Sequence, residues 1–156
     1  MIKIPAIDIK DGRVVRAYAG NRRDYKPLIV GNKDFSNPES FIKILKSRFN
    51  FNNFYIADIN SFKSKETNWA VIKKIINSNK ENYFWIDAGF SSFNKLNKFK
   101  HFVSNDESKN VKLIVGSEFF YNEKNLLNFI LQKNLILSID HKDNRRILLN
   151  LAKIKN

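Results

Sequence analysis

Five short apolar runs in this 156-residue chain each lead into an acidic residue. Lys3 to Ile7 ends at Asp8, residues 54–57 at Asp58, residues 83–86 at Asp87, residues 111–115 near Glu118, and residues 135–139 at Asp140. Two carboxylates facing each other across a cleft can divide into a general acid and a general base once their surroundings separate their pKa values. In parallel α/β folds such a cleft lies at the carboxyl ends of the strands. Gly89 and Gly116, the latter followed by Ser117, come after the third and fourth runs. Both could bring backbone N–H groups toward a phosphate, although tight strand-to-helix turns account for them equally well. The five acids could also hold Mg²⁺. A chain with a formal net charge of +13 needs no cation to attract phosphate, so no metal is expected. His101 and His141 match no common metal spacing, and the phosphate-loop and dinucleotide glycine fingerprints are missing.

The elements that must carry these residues read as an alternation of strand and helix. The five runs are apolar on both faces, as strands of a covered parallel sheet are. Between them lie helical stripes. Asn37 can cap the first, with Pro38 at its first position and Phe41, Ile42, Leu45 and Phe49 on one face. Trp69, Ile72, Ile75 and Ile76 form the second; Phe93, Leu96, Phe99, Phe102 and Val103 the third, opened by Ser91 and Ser92. Leu126, Leu127, Ile130 and Leu131 form a fourth, capped at Asn122, and Ile147, Leu148, Leu151 and Ala152 begin a fifth. Lys10-Asp11-Gly12-Arg13 is a turn signal that predicts a hairpin directly after the first strand. The basic loop that follows, residues 20–27, contains Arg22, Arg23 and Lys26 and could close over an anionic ligand.

Composition narrows the class. Hydrophobic residues make up 43% and charged residues 28%, a globular balance that suits one domain spanning residues 1–156. With no cysteine there is no disulfide framework and no thiolate chemistry. No apolar run approaches the roughly 20 residues of a membrane span, and Asp8 arrives too early for a secretory signal. A cytoplasmic protein without membrane attachment is the expectation. The excess of positive charge could mark an anionic partner, nucleic acid or a phosphorylated metabolite. Its even spread along a chain rich in Lys, Asn, Ile and Phe fits compositional drift better, and the aromatics lie in core-like stripes, which counts against nucleic acid.

Residues 4–16, Ile4-Pro5-Ala6-Ile7-Asp8-Ile9-Lys10-Asp11-Gly12-Arg13-Val14-Val15-Arg16, closely resemble the opening of the histidine-biosynthesis TIM-barrel family, which holds the HisA-type isomerase and the HisF-type cyclase subunit. Residues 55–59, 114–117 and 138–140 fall where that family's second, fourth and fifth strands lie. The resemblance covers nearly the whole chain and implies a partial (β/α)₈ barrel of about five parallel βα units. Three further units would need roughly 75–90 more residues. It implies Amadori isomerisation of a phosphorylated aminoaldose without a cofactor. Asp8 and Asp140 match the acid–base pair. Gly89, Gly116 and Ser117 approach phosphate, and Arg22, Arg23 and Lys26 form the lid. A homo-oligomer or a partner chain would complete the barrel. Residues 87–92, Asp87-Ala88-Gly89-Phe90-Ser91-Ser92, depart from the family's glycine-rich phosphate loop. The loop around Tyr25-Lys26-Pro27 also departs from the ordinary isomerase and is similar to divergent paralogues, some associated with one-carbon or methanopterin metabolism. A non-catalytic open sheet of flavodoxin or receiver type is the remaining alternative, and it requires the strand order 2-1-3-4-5.

Overall fold

The computed structural model describes residues 3–62, 66–103, 110–117, 129, 132–139, 141–142 and 145–146. The chain opens with β1 (Ala6–Lys10) and β2 (Arg13–Arg16), an antiparallel hairpin in which Lys10 faces Arg13. Its two turn residues, Asp11 and Gly12, have φ of 51° and 75°. Positive φ at both central positions matches the right-handed twist of the flanking strands, which is why Asp-Gly stands there. β3 (Lys26–Pro27) pairs with β2, and β4 (Ile29–Val30) and β5 (Lys33–Asp34) form a small separate hairpin.

Strand and helix then alternate: α1 (Pro38–Phe49), β6 (Asn53–Asp58), α2 (Trp69–Asn77), β7 (Tyr83–Asp87), α3 (Phe93–Val103), β8 (Val111–Gly116) and β9 (Leu135–Ser138). A two-stranded pair, β10 (His141–Lys142) and β11 (Arg145–Arg146), follows. The main sheet runs β3-β2-β1-β6-β7-β8-β9, with β1, β6, β7, β8 and β9 parallel. Sequential order is that of a partial barrel. It excludes the 2-1-3-4-5 order of an open flavodoxin-like sheet, because each βα unit here adds its strand to the same growing edge.

Local chemistry explains the helix starts. The Asn37 side chain accepts a hydrogen bond from the Ser40 N–H at 2.9 Å, and Pro38 opens α1. At α3 the Ser92 hydroxyl accepts from the Lys95 N–H at 3.2 Å. The core lies between α1–α3 and one face of the sheet. Ile7 and Ile9 of β1, Phe54 and Ile56 of β6, Phe84 and Ile86 of β7, and Val111, Leu113 and Val115 of β8 all point into it. Phe54 and Phe84, paired in register, stack at 5.7 Å. Trp69 and Phe90 both pack edge-on against Phe99, each at 5.3 Å.

Three expectations are corrected. The strands are apolar on one face and mixed on the other: the face away from the helices carries Asp8, Lys10, Asp87 and Lys112 beside Tyr55, Ala57, Trp85 and Ile114, as alternation from the core positions requires. Within the helical stripes, Phe49 is 61% and Phe102 40% exposed, because both lie at the edge of their helix's buried face. Asp8 sits mid-strand, not at the end of β1, because the chain runs on to Lys10 before the hairpin turn. Glu118, Asp140, the caps and stripe residues at 122, 126, 127, 130 and 131, and the stripe beginning at Ile147 lie outside the described residues. Among the described residues no helix is long and apolar enough to cross a membrane.

Removing a fully buried aromatic differs sharply from removing an exposed one. Phe84→Ala should cost about 3–5 kcal/mol. Phe49→Ala should change stability by well under ~1 kcal/mol. Paired urea melts of the two variants check this.

Candidate functional site

Asp8 lies on the helix-free face of β1, flanked in register by Val15 of β2 and Ala57 of β6. Burial pushes its carboxyl above the usual range, and the nearby Arg22 guanidinium offsets part of that rise.

Arg22 reaches Asp8 because the loop after the hairpin folds back over it. A 3-10 turn at Arg22–Asp24 starts after Gly20 (φ 70°), and Lys10 Nζ donates to the carbonyls of Arg22 and Arg23 at 3.2 and 3.1 Å. The Arg22 guanidinium lies 3.9 Å above the Phe62 ring. Lys10, Arg22 and Arg23 line a pocket of about 280 Å³ together with Asp11, Glu66, Ile59 and Asn60, so three basic side chains share it with two acidic ones. Lys10 and Ile59 follow Asp8 and Ala57 by two residues on the same face, so this charged pocket sits one layer above Asp8 toward the carboxyl ends of the strands. Lys26 does not line the pocket: it is fixed in β3 opposite Arg16.

Asp58 has a different task. It is fully buried and points to the helix side. Its carboxylate accepts from the Ser61 N–H at 3.2 Å, the Ser61 hydroxyl, the Asn68 N–H at 2.9 Å and Asn68 Nδ2 at 2.7 Å. Asn68 also donates to the Ile9 carbonyl at 3.1 Å and accepts from the Gly12 N–H at 2.8 Å. One buried acid and one buried amide therefore tie the hairpin turn, β1 and the loop after β6 together.

The loop after β7 is fastened to the same loop. Gly89 has φ +55°, and a Cβ there would meet the Ser61 carbonyl at 3.1 Å and Phe62 at 3.2 Å. Its N–H donates to Asp87 Oδ1 at 3.1 Å. Close packing and the Asp87 carboxylate thus account for this glycine, and its N–H points to Asp87. Lys95, from the first turn of α3, donates to the carbonyls of Ser61 (2.6 Å) and Gly89 (2.8 Å). Burial lowers the Lys95 ammonium pKa, against the pull of Asp58 and Asp87. Phe90 is fully buried in the core, which leaves no open glycine cradle after β7. Gly116 ends β8 beside Ser138, and Ser117 is buried just beyond it. Asp8, Arg22 and Arg23 are brought to one region; Gly116 and Ser117 sit two strands further along the sheet than β6.

Asn68 and Lys95 were not singled out from the sequence. Asn68 precedes α2 and reads as an ordinary cap, yet its side chain makes no cap hydrogen bond and is used across 56 residues instead. Lys95 is one of many lysines on a solvated helix pattern. His101 lies exposed on α3, and no group of three or more potential metal ligands occurs among the described residues.

A sequentially ordered parallel sheet of βα units, with helices on one face, defines a protein of partial (β/α)-barrel type. The chain belongs to the histidine biosynthesis protein family, whose model matches residues 2–155. It is 30% identical over 151 residues to the uncharacterised protein MJ0703 of Methanocaldococcus jannaschii, an alignment that takes in 97% of this chain and 61% of that protein.

The Asp58 network should prove structural. Asp58→Ala leaves the buried donors of Ser61 and Asn68 unsatisfied and should cost at least about 2–3 kcal/mol by chemical denaturation. Asp8 should behave oppositely. A carboxyl raised in the folded state contributes stability below its unfolded pKa and loses it as pH rises through the folded value. Asp8→Asn should therefore melt above the wild type at neutral pH, and the gain should shrink as the solution is acidified. Thermal melts across that range check the sign.

Proposed function

We propose that this chain acts on a phosphorylated sugar-like metabolite as an aldose–ketose isomerase of the Amadori type, with Asp8 as the general acid. The observation that carries the reading is the position of Asp8: partly buried, near Arg22, and one layer below a pocket that holds Lys10, Arg22 and Arg23 beside Asp11 and Glu66. Protonating the ring oxygen of an aminoaldose phosphate requires an acidic group. Arg22 and Arg23 would take the phosphate, with Lys10 holding their loop in position. Gly116 and Ser117 would meet the substrate farther along the sheet, and Asp140 is the second carboxylate that the family resemblance implies. This chemistry needs no cofactor. The chain spans 61% of the length of the curated relative it matches, and a complete cradle would draw on further βα units.

A second reading keeps the barrel and the acid but changes the substrate to one of a divergent paralogue, such as those of one-carbon or methanopterin metabolism. The packed loop after β7 favours it, since Gly89 and Phe90 do not form the family's open phosphate cradle there.

Turnover of a phosphorylated aminoaldose, followed by the appearance of the ketose, tests the reading. Asp8→Asn should lower kcat by at least about 100-fold, the usual contribution of general acid catalysis. An unchanged rate in a folded Asp8→Asn protein would remove Asp8 from the chemistry.

A further inference from the structure

The sheet register sets a second carboxylate opposite Asp8. Asp8 pairs with Ala57, and Ala57 pairs with Asp87. Paired positions on neighbouring strands project from the same face. Asp8, Ala57 and Asp87 therefore form one row across β1, β6 and β7. Strands lie about 4.8 Å apart, so the two acidic residues are roughly 10 Å apart at Cα. The residue between them is an alanine, which fills little of the gap. On the far side of it, Asp87 Oδ2 accepts from the Tyr55 hydroxyl at 3.0 Å and Oδ1 from the Gly89 N–H at 3.1 Å. Both oxygens act as acceptors, which fixes the orientation of the carboxylate. Asp8 has instead the partly buried setting beside Arg22.

We propose that Asp87 is the proton acceptor working opposite Asp8, with Tyr55 as the positioning residue that fixes its carboxylate. The inference rests on the isomerase reading above. Resemblance alone would give the role to Asp140, and Asp87 occupies the stretch where the family has glycine-rich backbone, so nothing carries the role over to it. The proton balance closes. Asp8 gives its proton to the ring oxygen, the C1–O bond breaks, and the nitrogen lone pair forms C1=N. Asp87 takes the proton from C2; that electron pair becomes C1=C2 while the C=N pair returns to nitrogen. Asp87 then delivers its proton to C1, and the C2 hydroxyl proton passes to the Asp8 carboxylate. The ketone forms and both carboxyl groups are restored. The pocket that holds Lys10, Arg22 and Arg23 beside Asp11 and Glu66 lies two residues, or about 7 Å, along the strands from Asp8. That rise suits a pentose whose phosphate sits among the arginines while C1 and C2 lie over Ala57.

The test uses the full chain and its Asp87→Asn and Tyr55→Phe variants, each checked for an unchanged melt. Asp87→Asn should lower kcat at least 100-fold with KM within about threefold. Tyr55→Phe removes a donor from the base, so the acidic limb of its kcat–pH profile should move to higher pH; a purely structural tyrosine would leave that limb in place. Wild-type turnover in Asp87→Asn, or an unmoved limb in Tyr55→Phe, overturns the proposal and leaves the isomerase reading standing. Absence of turnover in the wild type removes that reading, and Asp87 is then judged by calorimetric binding of ribose 5-phosphate. A tenfold or greater loss in Asp87→Ala and in Ala57→Leu, both folded, supports the carboxylate row as the ligand site. Unchanged binding in these variants, or none in the wild type, overturns it.

Discussion

The parallel register of β1, β6 and β7 is the constraint on which the rest of this molecule depends. Side chains alternate along a strand, so one register assigns Ile7, Ile9, Phe54, Ile56, Phe84 and Ile86 to the helices. The same register leaves Asp8, Ala57 and Asp87 in a row on the opposite face. A slip by one residue would bury the two acids in the apolar layer and expose the aromatics. The stacked pair Phe54–Phe84 opposes any such slip. Stability and site are thereby two consequences of a single pairing.

Above the register, a second layer of polar contacts sets the shape of the rim. Buried Asp58 would be costly alone, and four donors from Ser61 and Asn68 compensate for its desolvation. Lys95 fastens the loops after β6 and β7 by their carbonyls, and Gly89 lets those loops approach. These groups hold Asp87 and the Phe62 ring in place. Phe62 in turn lies under the Arg22 guanidinium. The acids thus divide by face: Asp58 on the helix side is a structural anchor, while Asp8 and Asp87 lie in one row on the other side.

Much of this was legible beforehand. Asn37 and Pro38 announce α1, Asp11-Gly12 announces the hairpin, and the helical stripes name most of the core. These are local signals, set by φ preferences, capping hydrogen bonds and periodicity. The candidate site was legible only in part. Every strand-end acid looks alike in a linear chain, so Asp58 could not be told from Asp8. Lys95 and Asn68 carried no signal, because their partners lie 34 and 56 residues away.

The sequence by itself determined the class of element at each position, the hairpin, the helix caps and the family, since these rest on local conformational preference and on a contiguous motif. Only the tertiary structure decided which acids share a face, what surrounds each one, and that Arg22 comes to Asp8. Those properties depend on strand register and on the packing of loops distant in the chain. Proton affinity follows from burial and neighbouring charge, and neither exists until the sheet has assembled.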